Sequence, residues 1–120
     1  MNEKTRLGRW GEALAAAYLR EKGFSIVTAN FRSRYGEIDL IAQNGEFIVF
    51  AEVKLRAGTG FGGAREAVGD RKQERIRRTA LMWLSEHENE LQPRFDVIEI
   101  YAPYGADTRN PRLIHLENAF

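Results

Sequence analysis

Residues 36–56, GEIDLIAQNGEFIVFAEVKLR, constrain this chain more than any other stretch. Two apolar runs flank Asn44-Gly45, the commonest two-residue hairpin signal. Yet the runs carry Glu37 and Asp39 on one side and Glu52 and Lys54 on the other. With Asn44 and Gly45 as the loop, Gln43 faces Glu46, Ile41 faces Ile48, Asp39 faces Phe50 and Glu37 faces Glu52. Side chains alternate along a strand. Glu37, Asp39, Ile41, Ile48, Phe50, Glu52 and Lys54 therefore share one face. Phe47, Val49, Ala51, Val53 and Leu55, with Ile38 and Leu40, read as the core face.

Facing carboxylates destabilise a sheet. At about 5 Å and an effective dielectric of about 20 they repel by roughly 3 kcal/mol. A proton, a protein cation or a bound metal relieves such repulsion. Lys54 supplies one ammonium against the acids of Glu37, Asp39 and Glu52. A hard divalent cation with oxygen ligands, Mg²⁺ or Mn²⁺, completes the balance. Such an ion polarises a phosphoryl oxygen and lowers the pKa of a bound water, and a lysine beside it neutralises developing charge. The pattern suits phosphodiester hydrolysis. A solvated hairpin is the plainer alternative, and Ile41, Ile48 and Phe50 on the same face argue against it.

The rest of the chain is read around this hairpin. Leu7, Trp10, Gly11, Leu14, Ala17 and Tyr18 form a stripe at helical spacing, so a helix is expected from Thr5 to Lys22, ended by Gly23. On its wheel Glu12 lies away from Arg6, Arg9 and Arg20, in a sector with Ala15, Ala16 and Leu19, and so faces protein. An acid there needs a polar partner. FSIVTANF, residues 24–31, reads as a strand, and strands at 36–43 and 46–55 follow. RAGTGFGG, residues 56–63, is a glycine-rich loop that matches no phosphate-binding fingerprint, with Phe61 at its tip. A second helix is expected over 64–88, its core stripe at Val68, Ile76, Ala80, Trp83 and Leu84. Strands at 94–101 and 113–117 complete the order αβββαββ. That order describes an α/β fold with a central mixed sheet flanked by helices. The 120 residues fit one domain over 1–120.

Net charge is +1, but residues 1–78 hold 15 Lys and Arg against 10 Asp and Glu, while residues 79–120 hold 3 against 7. A basic surround for an acidic centre suits an anionic polymer held near a metal. Arg71, Lys72, Arg75 and Arg78 form a ridge on the second helix, and Lys72 points toward the sheet. Arg56 shares the face of Lys54, and Tyr35 is an exposed aromatic able to stack on a base. Asp70 and Glu74 allow ordinary ion pairs between turns. His87 and His115 carry no motif and read as surface or core residues. The absence of cysteine excludes disulfides, thiol nucleophiles and thiolate zinc sites and suits a cytoplasmic setting. ALAAAYL, residues 13–19, has the look of a short signal core, but the REKG that follows favours an amphipathic helix. No stretch has the length of a membrane span.

GEIDLI followed by FAEVKLR resembles the PD-(D/E)xK nuclease signature, with Asp39, Glu52 and Lys54 in its three roles. With GRWGEALAAAYLREKGF before it and RFDVIEI after it, nearly the whole chain resembles the YraN family of small bacterial proteins. That family is predicted to be nuclease-like and is similar to archaeal Holliday junction resolvases. The resemblance implies a restriction-endonuclease-like fold and gives Glu12 the part of the helix-borne acid. Ile38 stands where the signature carries proline, a position that varies in such enzymes.

The combined expectation is a Mg²⁺- or Mn²⁺-dependent nuclease acting on branched or otherwise structured DNA, with RNA left open. Asp39 and Glu52 hold the metal, with the Val53 carbonyl as a further ligand. Lys54 stabilises the transition state, Glu12 holds metal water, and Glu37 is an auxiliary acid. Arg56, Arg71, Lys72, Arg75 and Arg78 contact nucleic acid. Junction cutting needs two sites, which makes a homodimer natural. The rival readings are a nucleic-acid-binding protein with a dormant site and a protein–protein adaptor on the same scaffold.

Overall fold

The computed structural model describes residues 2–57 and 68–120. Its elements are α1 (Glu3–Glu21), β1 (Ser25–Ser33), β2 (Gly36–Gln43), β3 (Phe47–Arg56), α2 (Asp70–Glu86), β4 (Gln92–Tyr101) and β5 (Arg112–Leu116), with a short 3₁₀ turn at Gly105–Asp107. This is the expected αβββαββ order. The strands form one sheet in the order β1-β2-β3-β4-β5. Among the described residues only the β3–β4 pair is parallel. A parallel pair needs a long crossover, and α2 lies within it. Among the described residues no helix is long and apolar enough to cross a membrane.

Local chemistry accounts for α1. The Asn2 side chain accepts from the Thr5 amide at 2.8 Å and caps the first turn. At the other end Gly23 takes φ +95°, a value that L side chains rarely adopt. The Gly23 and Phe24 amides then donate to the carbonyls of Arg20 and Leu19 at 3.0 Å each. This is the Schellman pattern. Trp10, Leu14 and Tyr18 of the expected stripe pack against the core, but they are not the most deeply buried positions. Ala15, Ala16 and Leu19 are buried and Ala17 is exposed. The helix is thus turned toward the sector that holds Glu12. Gly11 permits the close approach, since an added Cβ would lie 2.9 Å from Leu55 Cδ1.

The sheet is buried on both sides. On the α1 side, Ala15, Leu19, Leu40, Val49, Ala51 and Ile98 form one core. On the α2 side, Ile41, Ile48, Phe50, Ile76, Ala80 and Trp83 form another. The site face of the hairpin is therefore a second core face, not a solvated one. The described part of α2 begins at Asp70, and the expected helical residues 64–67 lie outside the described residues. Val68 precedes the helix rather than belonging to it.

The hairpin register also differs. Gln43 pairs with Ile48, Ile41 with Phe50 and Leu40 with Ala51. A two-residue type I′ turn needs positive φ at both loop residues, and neither Asn44 nor Gly45 has it. Instead Asn44 Oδ1 accepts from the amides of Glu46 at 2.8 Å and Phe47 at 2.7 Å. The turn is longer and the register slips by two residues. An even slip keeps every side chain on its face, so Asp39 and Glu52 still share one. The expected Glu37–Glu52 pair does not form; Glu37 pairs across β1 with Arg32. Ile38 is a further correction. It packs with Ile41 and Phe50 on the α2 side, while Leu40 faces α1. Alternation breaks at Asp39, opposite the stretch of β1 where Asn30 takes φ +55°.

A buried polar network fastens the far strands. Asp96, fully buried, accepts from Arg94 Nε at 2.9 Å, Arg94 Nη2 at 2.8 Å and the Asn118 amide at 3.0 Å. His115 Nε2 lies 2.6 Å from Asp96 Oδ2, and its Nδ1 lies 3.0 Å from the Tyr18 hydroxyl. Burial works to raise the Asp96 pKa, but the bonds from His115 and Arg94 prevail and hold it below its ordinary value. Stability from this depressed carboxyl is present at neutral pH and is lost only as pH falls below the ordinary value of 3.8 through the folded value. Asp96→Asn leaves the Arg94 guanidinium with the more distant Glu117 carboxylate at 3.6 Å in place of its close bidentate partner. Thermal melts at pH 7 are expected to show a loss of about 3 kcal/mol; an unchanged midpoint would mean that the network adds nothing.

Candidate metal and phosphate site

The β2–β3 ladder runs from Gln43↔Ile48 to Leu40↔Ala51. Beyond it the Val53 amide donates to Asp39 Oδ2 at 2.8 Å, a side chain where a ladder would use a carbonyl. Asp39 is thereby fixed where the two strands part. α1 brings Glu12 to this point from one face, and α2 brings Lys72 from the other. Glu12, Glu37 and Asp39 each offer a carboxylate oxygen, and these oxygens lie within 4.8 Å of one another. Glu12 Oε1 accepts from Asn30 Nδ2 at 3.1 Å. Glu37 Oε2 accepts from the exposed Arg32 Nε at 3.1 Å.

Glu52 stands beside this group, 6% exposed. Lys54 Nζ lies 3.3 Å and Lys72 Nζ 2.5 Å from the same oxygen, Glu52 Oε1. A cleft of about 420 Å³ is lined by Glu37, Asp39, Glu52, Lys72 and Arg75 among others. The sequence reading thus brought Glu12, Glu37, Asp39, Glu52, Lys54 and Lys72 to one place. Val53 meets Asp39 through its amide N–H. The acids that converge most closely are Glu12, Glu37 and Asp39, with Glu52 held by ammonium groups.

Electrostatics follow from burial and crowding. Burial, then the charge of Glu52, pushes the Asp39 carboxyl up to about 7, against the bond from the Val53 amide. Burial also raises Glu12, partly offset by Asn30. Lys54 is lowered, first by desolvation and then by Lys72 beside it. Desolvation lowers Lys72, but its bonds to Glu52 and Lys54, with the charges of Glu52 and Asp39, together prevail and raise it. Three crowded oxygens, two on acids that hold their protons more tightly than usual, form a donor set that fits a hard divalent cation in place of those protons. Asp39, Glu12 and Glu37 would hold it, with Glu52 adjacent.

A second cleft, of about 360 Å³, is lined by Arg34, Tyr35, Arg71, Glu74, Arg75 and Arg78. Arg75 lines both clefts. The guanidiniums of Arg34 and Arg78 lie 5.0 and 5.5 Å from the Tyr35 ring centroid. Arg78 also pairs with Glu74 at 2.8 Å, the ordinary contact between turns. The Ser33 hydroxyl lies 2.9 Å from that of Thr79 and ties this turn to α2. Arg56 is half-buried at the end of β3. The glycine-rich stretch from residue 58 onward and Phe61 lie outside the described residues. Sequence reasoning missed Asn30 and Arg34. Both act through the turn geometry of β1, for which the sequence offers no periodic signal.

An αβββαββ sheet that opens onto converging acids and lysines defines a class, the small α/β domain compatible with a restriction-endonuclease-like fold. The chain belongs to the family described as "Uncharacterised protein family UPF0102", whose model matches residues 11–100. It is 46% identical over 121 residues to the UPF0102 proteins of Nocardia farcinica and Rhodococcus opacus, covering all of this chain and 93% and 100% of those relatives. It is 44% identical over 122 residues to that of Acetivibrio thermocellus, covering 99% of this chain and 94% of the relative.

The raised Asp39 carboxyl has a consequence for stability. Its folded value of about 7 exceeds the ordinary 3.8, so the folded state binds this proton more tightly than the unfolded chain. The favourable contribution is complete below about pH 4 and is lost as pH rises through 7. Without divalent metal at pH 8, Asp39→Asn is expected to melt above the wild type by roughly 2 kcal/mol, or about 8 °C. The difference closes toward pH 4. A variant that melts below the wild type at pH 8 contradicts this electrostatic account.

Proposed function

We propose that the protein is a metal-dependent nuclease that hydrolyses phosphodiester bonds in branched or otherwise structured DNA. The observation that carries this reading is the convergence of Glu12, Glu37 and Asp39 beside Glu52 and its two lysines, at the edge of an arginine-lined cleft. A divalent cation held by these acids supplies charge to a phosphoryl oxygen and an activated water. Lys54 and Lys72 place positive charge where the phosphorane builds negative charge. Arg75 borders both clefts and leads the backbone from the arginines to the acids. Arg71 and Arg78 fix its approach without reading sequence. Two cuts in a branched substrate call for two sites, and a homodimer is the assembly proposed for that case.

One observation favours a second reading. Lys54 and Lys72 both hold one oxygen of Glu52, so ammonium groups compete with a metal for that oxygen. A protein that binds nucleic acid through the arginines and keeps the acids without cleavage is consistent with that. Branched and linear DNA with Mg²⁺ or Mn²⁺, tested with wild type, Asp39→Ala and Lys54→Ala, separates the two. Cleavage by wild type and a loss on the order of 100-fold or more in both variants is expected. Equal cleavage by all three would reveal a contaminant, and binding without cleavage would establish the dormant reading.

The arginine path carries its own prediction. Arg75→Ala is expected to weaken DNA binding several-fold across unrelated sequences and to lower the salt slope of log K by about 1. Binding titrations between low and physiological salt read both quantities. An unchanged slope would remove Arg75 from the phosphate path.

A further inference from the structure

Glu99 is 3% exposed, and its Oε2 has no hydrogen-bond partner among the described residues. A buried carboxylate oxygen without a partner is costly, so its retention asks for a use. Glu99 stands on β4 directly in register with Lys54 on parallel β3. Register partners in a parallel pair share a face, and neighbouring strands lie about 4.8 Å apart. Ile98 and Ile100, the neighbours of Glu99 along β4, belong to the α1-side core. Glu99 is therefore on the face of Glu52 and Lys54. Arg56, two residues beyond Lys54, and Arg112 on β5 both pair with Tyr101, and they add positive charge near it.

Lys54 and Lys72 now crowd onto one oxygen of Glu52. A divalent cation arriving among Glu12, Glu37 and Asp39 would bring two more positive charges beside Glu52, and at least one ammonium would withdraw. Lys72 projects from α2, where Glu52 and Asp39 are the acids that attract it. Lys54 has a flexible four-carbon stem and the partnerless oxygen of Glu99 on the adjacent strand. We propose that Glu99 is the counter-ion to which Lys54 transfers when the acids take up a divalent cation. It is a positioning residue that frees Glu52 while keeping Lys54 charged and beside the site. This rests on the metal-site reading given above and names a residue that reading does not use.

The test is a double-mutant cycle on metal affinity, read by calorimetry with Mn²⁺ alone and no DNA. Glu99→Gln should lower Mn²⁺ affinity about tenfold in the wild-type background. In a Lys54→Met background, where no ammonium needs a new partner, the same change should move affinity less than twofold. Equal losses in both backgrounds, or no loss in the first, overturn the proposal while leaving the metal site intact. Failure of the wild type to bind Mn²⁺ overturns the metal-site reading and the transfer with it. A measurement on the wild type covers the case of a variant that does not fold. On Mg²⁺ saturation the Glu99 carboxyl carbon should shift in ¹³C NMR together with the Lys54 ε-carbon. A Glu99 signal that stays still contradicts the transfer.

Discussion

The hydrogen bond from the Val53 amide to Asp39 is where the sheet stops being a ladder and becomes a site. Up to Leu40↔Ala51 the β2 and β3 backbones satisfy each other. At the next step a carboxylate takes the place of a carbonyl, and the strands separate. Three consequences follow from that single substitution of partner. Ile38 turns to the α2 side, out of step with Leu40. The gap admits Glu12 from α1 and Lys72 from α2, from opposite faces of one sheet. The carboxylate, held by a neutral donor and flanked by other acids, is left short of positive charge.

Two aspartates, Asp96 fully buried and Asp39 half-buried, show how the same side chain serves opposite ends. Asp96 accepts from Arg94, His115 and the Asn118 amide, so its charge is matched and its pKa falls. Asp39 accepts one amide, and desolvation, then the charges of Glu52, Glu12 and Glu37, raises its pKa to about 7. Burial penalises both alike; the partners decide the sign. A matched buried charge joins β4 and β5 to α1 and contributes to the fold. An unmatched one weakens the fold near neutral pH and is retained where a ligand from solution can complete it.

The sequence made the site's membership legible and its geometry less so. Face assignments on the hairpin came through because strand parity survives a register slip of two residues. The register itself did not, because Asn44 uses its side-chain oxygen as an acceptor instead of adopting the left-handed turn that Asn-Gly usually signals. Glu12 was legible because a helical wheel places it among Ala15, Ala16 and Leu19. The position of Ile38 was hidden, since the break in alternation arises from a bond between strands. Asp96 and His115 were hidden for a similar reason. They are 19 residues apart, on strands whose pairing only the sheet topology brings about.

Lys72 links the two halves of the proposed function. It stands on the basic helix yet pairs with Glu52, so one ammonium faces both a phosphate path and an acid cluster. On the proposed function, a phosphate drawn along Arg71, Arg75 and Arg78 would compete with Glu52 for that ammonium. A cation among the acids competes with the ammonium for Glu52. Each competitor loosens the same ion pair, so each lowers the cost of the other's arrival. Linkage makes the effect reciprocal: to whatever extent a bound cation tightens the hold on a polyanion, the polyanion tightens the hold on the cation by the same factor. Lys54 alone would leave the crowded acids short of positive charge, so Lys72 serves the fold as well as the proposed exchange. Lys72 is therefore the residue through which the proposed traffic between the two clefts would pass.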